Sequence, residues 1–370
     1  SIAALTYKTK QMNVDLSVPI QPEDYIDEIH YWTPEHPNLY DVTVSYASDG
    51  QTDQVFTYFG FRDVCTRDGK TLLNHRPIYQ RLILHQGYYD GGLLTADTDE
   101  RYRTDLQTIK DMGFNGVRMH QKIEDPLFYY WADKIGLLVW GELPSCYEFS
   151  ELAMRRSFES MREFIQRDYN HPSIVCWVPL NESWGVRNIE QNTAQQRYAV
   201  SLYHFIKAMD STRWISTNDG WEQVTTDFCT LHDYSFDGKA LSSRWDDLDA
   251  LLQSAAQDRM IFASGYQYTG QPILLTEFGG VAFKTNQSEK DWGYCAIEKN
   301  EASYIRRLTS LFSYIKTNRR IQGYCYTQFT DVMQETNGLL SIRREPKIAI
   351  DVIRAILFGT DDSEPISPVP

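Results

Sequence analysis

The chain has 370 residues, 42% of them hydrophobic, with a formal net charge of −14 and a pI near 5.0. That length excludes a single small domain and suits a barrel-sized unit with a smaller companion. The acidity, with no clustered Lys and Arg, argues against nucleic acid or an anionic membrane as a main partner, and no apolar run reaches the roughly 18 residues that span a bilayer.

Residues 13–18, 39–46 and 54–60 alternate apolar and polar side chains with period two, between turns rich in Pro, Asp and Gly. This predicts a small antiparallel sandwich over residues 1–66. The pattern begins in mid-course, so the chain is expected to be the back part of a longer protein. A polar stretch around Arg67 to Pro77 reads as a linker. From there to about residue 360 strands alternate with amphipathic helices, the pattern of parallel α/β architecture. Strands are predicted at 82–85, 116–119, 137–140, 174–180, 214–217, 228–232, 272–276 and 322–326. Helices are predicted at 98–112, 126–135, 151–169 and 195–209. Eight such units over residues 67–360 fit a (β/α)8 barrel better than an open sheet, with residues 361–370 left as a C-terminal tail. No glycine-rich phosphate loop follows any strand, which speaks against a nucleotide-binding doubly wound fold.

The six cysteines are scattered, with no pair at metal or redox spacing, so no metal or other cofactor is expected. Cys176 and Cys325 sit in apolar strand-like runs and read as small buried thiols. This usage leans towards a reducing, cytoplasmic compartment.

Two runs carry the chemistry. Val178-Pro179-Leu180-Asn181-Glu182-Ser183-Trp184 and Ile273-Leu274-Leu275-Thr276-Glu277-Phe278-Gly279-Gly280 each bring an apolar strand to a glutamate and then turn. In a parallel α/β fold the carboxyl ends of the strands carry ligands and chemistry, so Glu182 and Glu277 read as a facing pair; a structural ion pair is the alternative for either alone. Two facing carboxyl groups can run glycoside hydrolysis, with retention of configuration when they stand about 5 Å apart and inversion when the gap is wider. Asn181, beside Glu182, could hold a substrate hydroxyl.

The chain resembles glycoside hydrolase family 2, the β-galactosidases, β-glucuronidases and β-mannosidases. The resemblance rests on residues 32–40 (WTPEHPNLY), 59–62 (FGFR), 113–118 (GFNGVR), 132–137 (ADKIGL) and 170–174 (NHPSI), together with Asn181-Glu182 and Thr276-Glu277-Phe278-Gly279. It implies an immunoglobulin-like sandwich before the barrel, and a jelly-roll domain preceding both. It implies Glu182 as general acid/base and Glu277 as nucleophile of a retaining mechanism, so that activity needs Glu182 protonated and Glu277 ionised. Arg118 falls where the family keeps an arginine near the nucleophile, and Tyr234 where a tyrosine hydroxyl bonds it; a core Arg–Glu pair and a core tyrosine are the alternatives. His120, His232 and Glu142, at strand ends, are further candidate substrate contacts, as are the weaker His85, Gln86 and Tyr88. Trp177, Trp184, Trp221 and Trp292 are candidate stacking platforms.

Three departures limit the substrate. Thr327 stands where relatives often have a tryptophan under the reacting sugar, leaving Gln328 and Asp331 as candidate polar contacts. Asn337-Gly338-Leu339 lacks the lysine of the Asn-x-Lys pair that binds the uronate carboxylate, which disfavours glucuronate. Leu143-Pro144-Ser145 after Glu142 lacks a Glu-x-His metal pair, so no obligatory magnesium is expected. The leading expectation is a retaining exo-acting glycosidase, β-galactosidase-like first and arabinosyl, galactofuranosyl or mannosyl next. A carbohydrate-binding barrel without turnover is the alternative from another class. The partner expected is a carbohydrate, with homo-oligomerisation possible as in the family.

Overall fold

The structure is a computed structural model, and it describes residues 29–253, 259–284 and 289–359. Its centre is an all-parallel sheet of eight strands, neighbours in the order 214–215, 174–178, 138–142, 116–119, 80–85, 321–327, 273–279 and 229–233. In chain order these strands are β6 (Gln80–His85), β7 (Gly116–Met119), β8 (Leu138–Glu142), β9 (Ile174–Val178), β11 (Trp214–Ile215), β13 (Cys229–Asp233), β14 (Ile273–Gly279) and β17 (Ile321–Thr327). All eight lie within two or three residues of the predicted segments. Such agreement arises because strands covered on both faces read as continuous apolar runs, and nearly every residue in these strands is buried.

The sheet curls around a core of its own. Leu82, Leu84, Leu138, Trp140, Val175, Cys176, Val178, Trp214, Phe228, Leu274 and Cys325 pack together on one face. Ile83, Val117, Val139, Trp177 and Leu275 pack on the other, against the helices. The Trp140 ring stacks on Phe228, with centroids 5.3 Å apart, and Phe228 also meets Trp214 at 5.4 Å, which brings the two edges of the sheet together. The edge strands β11 and β13 share no ladder. Instead Asp227 N donates to Ile215 O at 3.0 Å, Ile215 N donates to the Asp227 carboxylate at 2.8 Å, and Gly220 N donates to Thr230 Oγ1 at 3.1 Å.

The connecting helices are α1 (Asp99–Asp111), α2 (Pro126–Ile135), α3 (Glu151–Asp168), α4 (Thr193–Met209), α5 (Gly238–Trp245), α6 (Leu248–Gln253), α7 (Glu301–Thr317) and α8 (Ile350–Phe358). Local chemistry explains their starts. Asp125, Ser150, Asn192, Asp237 and Asn300 each accept a backbone N–H of the first turn, and Pro126 opens α2 where no N–H is needed.

The segment before the sheet departs from expectation. A hairpin of β1 (Tyr40–Ser48) and β2 (Gln51–Phe59) is paired over its whole length, but Val44, Tyr46, Val55 and Phe56 on it are exposed. The described residues before position 64 thus hold one hairpin and no second layer, so an immunoglobulin-like sandwich is not established; the strand predicted at 13–18 lies outside them. The stretch expected to be a linker is instead a three-stranded antiparallel sheet of β3 (Val64–Arg67), β4 (Lys70–Leu73) and β5 (Arg76–Pro77). Its reason is burial: Leu72 and Leu73 turn inward while the Asp68–Gly69 turn, in the left-handed region, joins β3 to β4.

Short pairings complete the rim. β10 (Leu180–Asn181) pairs with β12 (Asn218–Asp219), and β15 (Val281–Phe283) pairs with β16 (Ala296–Glu298), both in parallel.

Candidate active site

Glu182 follows β10 on a sharp turn. It and Ser183 have φ of 51° and 55°, the left-handed region that costs a side-chain-bearing residue about 1 to 3 kcal/mol. Hydrogen bonds hold this turn. Glu182 N donates to Asp219 O at 2.9 Å, Ser183 N donates to Asn218 Oδ1 at 3.0 Å, and Ser183 Oγ donates to Glu222 Oε2 at 2.5 Å. The result aims the Glu182 carboxylate into an open cleft of about 240 Å³, lined also by His120, Tyr147, Trp184, Glu277 and Tyr294.

Glu277 lies inside β14, directly across from His232 on β13. Arg118 donates to its Oε1 at 3.1 Å, and the Tyr234 hydroxyl donates to its Oε2 at 2.5 Å. One oxygen of Glu182, one of Glu277 and one ring nitrogen of His232 all lie within 4.8 Å of one another.

Arg118 is the hub beneath this pair. Wholly buried, it donates from Nε to Glu142 at 2.7 Å, from one terminal nitrogen to Asn181 Oδ1 at 2.7 Å, and from the other to Glu277 and to Thr276 O; that last nitrogen also lies 3.2 Å from Asp219. Burial works against its charge, but Asp219, Glu142 and Glu277 prevail and hold it well above its ordinary value. Because arginine only donates, the Asn181 oxygen must face it, which turns the Asn181 amide nitrogen the other way.

His232 lies between two carboxylates. Its Nδ1 is 2.8 Å from Glu182 and its Nε2 is 2.7 Å from Asp219, a geometry that gives both ring nitrogens a proton to donate. Burial alone would suppress the imidazolium, yet Glu277, Asp219 and Glu182 raise it to about 10. In return, although burial opposes the charge, His232 holds Glu182 below its ordinary value, and Arg118 and His232 hold Asp219 below its own. In the free site these contacts favour the proton on the imidazole over Glu182.

The site gathers most of the residues singled out in the sequence. Glu182, Glu277, Arg118, Asn181, His232, Tyr234 and Glu142 form one network, and His120 joins it with Nδ1 3.2 Å from Glu142. Trp184 lines the cleft with Arg187 over its ring at 4.0 Å, whereas Trp177 is wholly buried and Trp221 nearly so. Gln328 lies under the site, donating to Glu335 at 3.0 Å and to Asn337 at 2.8 Å. Asp331 stands apart, accepting from Lys347 at 2.7 Å and from Gly338 N at 3.0 Å. His85 is wholly inside, 3.5 Å from Asp105. Asp219, Tyr294 and Glu335 escaped the sequence reading. Asp219 ends β12 and Glu182 directly follows β10, so the strand-end argument could have found Asp219; the ring of Tyr294, stacked on Tyr234 at 4.3 Å, has no local signal.

These features agree with the comparisons. The family model for glycosyl hydrolases family 2, TIM barrel domain, matches residues 64–356, and a second model, glycosyl hydrolases family 2, matches residues 4–62. The chain belongs to glycosyl hydrolase family 2. A β-galactosidase from Thermoanaerobacterium thermosulfurigenes is 26% identical over 76% of this chain and 37% of its own length. A putative β-glucuronidase from Formosa agariphila is 35% identical over 43% of this chain and 20% of its own. The chain thus spans well under half of these relatives. Among solved structures, the GH2 β-galacturonidase from Eisenbergiella tayi bound to galacturonate superposes with a TM-score of 0.71 at 22% identity, over 89% of this chain and 59% of that one. The β-D-glucuronidase of Dictyoglomus thermophilum gives 0.73 at 19%, over 90% and 60%. At such identities the likeness is one of fold. No helix among the described residues is long and apolar enough to cross a membrane.

Proposed function

We propose that this chain carries the active site of a retaining exo-glycosidase, β-galactosidase-like in its substrate. The observation that supports this best is that an oxygen of Glu182 and an oxygen of Glu277 lie within 4.8 Å of each other, a close approach of the kind retaining pairs make, their carboxyl groups standing roughly 5 to 5.5 Å apart against about 6.5 Å or more in inverting ones.

Glu277 attacks the anomeric carbon as the glycosidic bond breaks, and Glu182 gives a proton to the departing oxygen. Arg118 and Tyr234 each fix one oxygen of Glu277, so its lone pair is oriented without rotation during the step. The glycosyl ester then yields to a water from which Glu182 withdraws a proton. Asn181, its amide nitrogen turned from Arg118, is available to a sugar hydroxyl beside the reacting carbon. The names of the relatives are divided between β-galactosidase and β-glucuronidase, and the absence of a lysine at position 339 favours the neutral sugars, with galactose first and arabinosyl, galactofuranosyl or mannosyl residues next.

Hydrolysis of a panel of nitrophenyl glycosides by wild type and Glu277→Ala tests the reading. One sugar should turn over, the variant should lose at least about 10³-fold, and azide should restore a glycosyl azide of inverted configuration. Undiminished turnover by the variant would refute the assignment.

A further inference from the structure

Beneath the cleft, on the side of β17, lies a buried anion to which neither the sequence reading nor the mechanism assigns a role. Glu335 is 8% exposed. It accepts hydrogen bonds from Gln328 Nε2 at 3.0 Å, Asn337 Nδ2 at 3.3 Å and Gln86 Nε2 at 3.3 Å, all neutral amides. Among the described residues no cationic nitrogen lies within 4 Å of it, unlike Glu142, Asp219 and Glu277, which share Arg118. Tyr294, a wall of the cleft stacked on Tyr234, has its phenol pushed up by burial and then by Glu335, Glu277 and Glu182, and Glu335 itself is raised above its ordinary range by burial, with His120 and Glu277 within its field. The connection is short: Tyr234, which holds the nucleophile, reaches Thr327 Oγ1 at 3.3 Å, and the next residue is Gln328, bonded to Glu335.

We infer that Glu335 is a specificity-determining residue that makes the floor of this site anionic, so that it admits sugars neutral at C6 and rejects the corresponding uronates. This rests on the glycosidase reading and adds the substrate class. The physical reason is desolvation. A uronate carboxylate entering the cleft must shed water, and here it approaches a second buried carboxyl group that amides solvate and that has no ion-pair partner within 4 Å among the described residues; like charges in such a medium repel strongly. A hydroxyl or hydroxymethyl group in the same place meets only hydrogen-bond acceptors and bears no such penalty.

The test needs no turnover. Binding of free galactose and free galacturonate to the whole chain, by calorimetry at one ionic strength, compares two ligands that differ only at C6. Galactose should bind at least about 10-fold tighter. Glu335→Gln should narrow the ratio towards unity, mainly by improving galacturonate; because the amide must turn one neighbouring Gln or Asn, circular dichroism and Tm of the variant accompany the measurement. Equal or tighter binding of galacturonate by wild type, no binding of either sugar, or an unchanged ratio in a folded variant would overturn the inference. Loss of hydrolysis with the binding preference intact would instead count against the glycosidase reading alone.

Discussion

His232 decides how this site stores its proton. Two macroscopic titrations belong to the Glu182–His232 pair, the lower one mainly of the carboxyl and the upper near 10. Between them the pair holds a single proton across a 2.8 Å contact, and on the proposed mechanism this is the proton that the leaving group takes. The alkaline limb of kcat/KM should therefore extend towards pH 10 in wild type. His232→Gln removes the second site, and the limb should fall by at least about two units, to the carboxyl of Glu182 itself. An unmoved limb in a folded, active variant would show that His232 takes no part in the proton's storage. Gly220 protects this arrangement: at φ of 104° a Cβ would meet the His232 ring at 2.7 to 2.9 Å.

At the scale of elements, side chains outside the site hold the strands that carry it. Arg62, one of the residues by which the family is recognised, donates from its guanidinium to Pro172 O, Ile174 O and Thr212 O, and so fastens the exit of the leading segment to the entries of β9 and β11. Trp32 does the same on the other side, its indole donating to Asp133 O at 2.9 Å with no part exposed. The helices depend on their caps. Ser150 Oγ accepts from Ala153 N at 3.1 Å to open α3, so Ser150→Ala should cost about 1 kcal/mol in urea unfolding while leaving kcat/KM within about twofold. A loss of activity larger than the loss of stability would mean that α3 is coupled to the cleft.

Over the whole molecule, the network in the site sets the pH dependence of stability. His232 is raised in the folded chain, so its contribution is complete below about 6.5, its ordinary value, and is lost as pH rises through about 10. Asp219, Glu142 and Glu182 are lowered, so theirs is complete above ordinary values of 3.8 and 4.5 and is lost as pH falls through the folded ones. Thermal unfolding should show a maximum near pH 5 to 6.5, with Tm falling on both sides. His232→Gln should lower the maximum and flatten the alkaline fall; an alkaline slope as steep as wild type would assign that fall to other groups.

By itself the sequence determined the strands and singled out Glu182 and Glu277 at their ends. Apolar runs ending in Asn181-Glu182 and Thr276-Glu277 are local signals, because a strand covered on both faces must be apolar along its length and must turn where polarity begins. It also carried Arg118 and Tyr234, through the family's pattern. Tertiary structure alone decided the rest. That Asp219 lies against His232 and Arg118, that Tyr294 stacks on Tyr234, and that Gln86 reaches Glu335 are contacts between residues 13 to 249 apart in the chain, with no periodicity to announce them. The stretch from Arg67 to Pro77 shows the same limit in reverse: polar composition suggested a linker, and the inward side of Leu72 and Leu73, set only by what packs over them, made it a sheet.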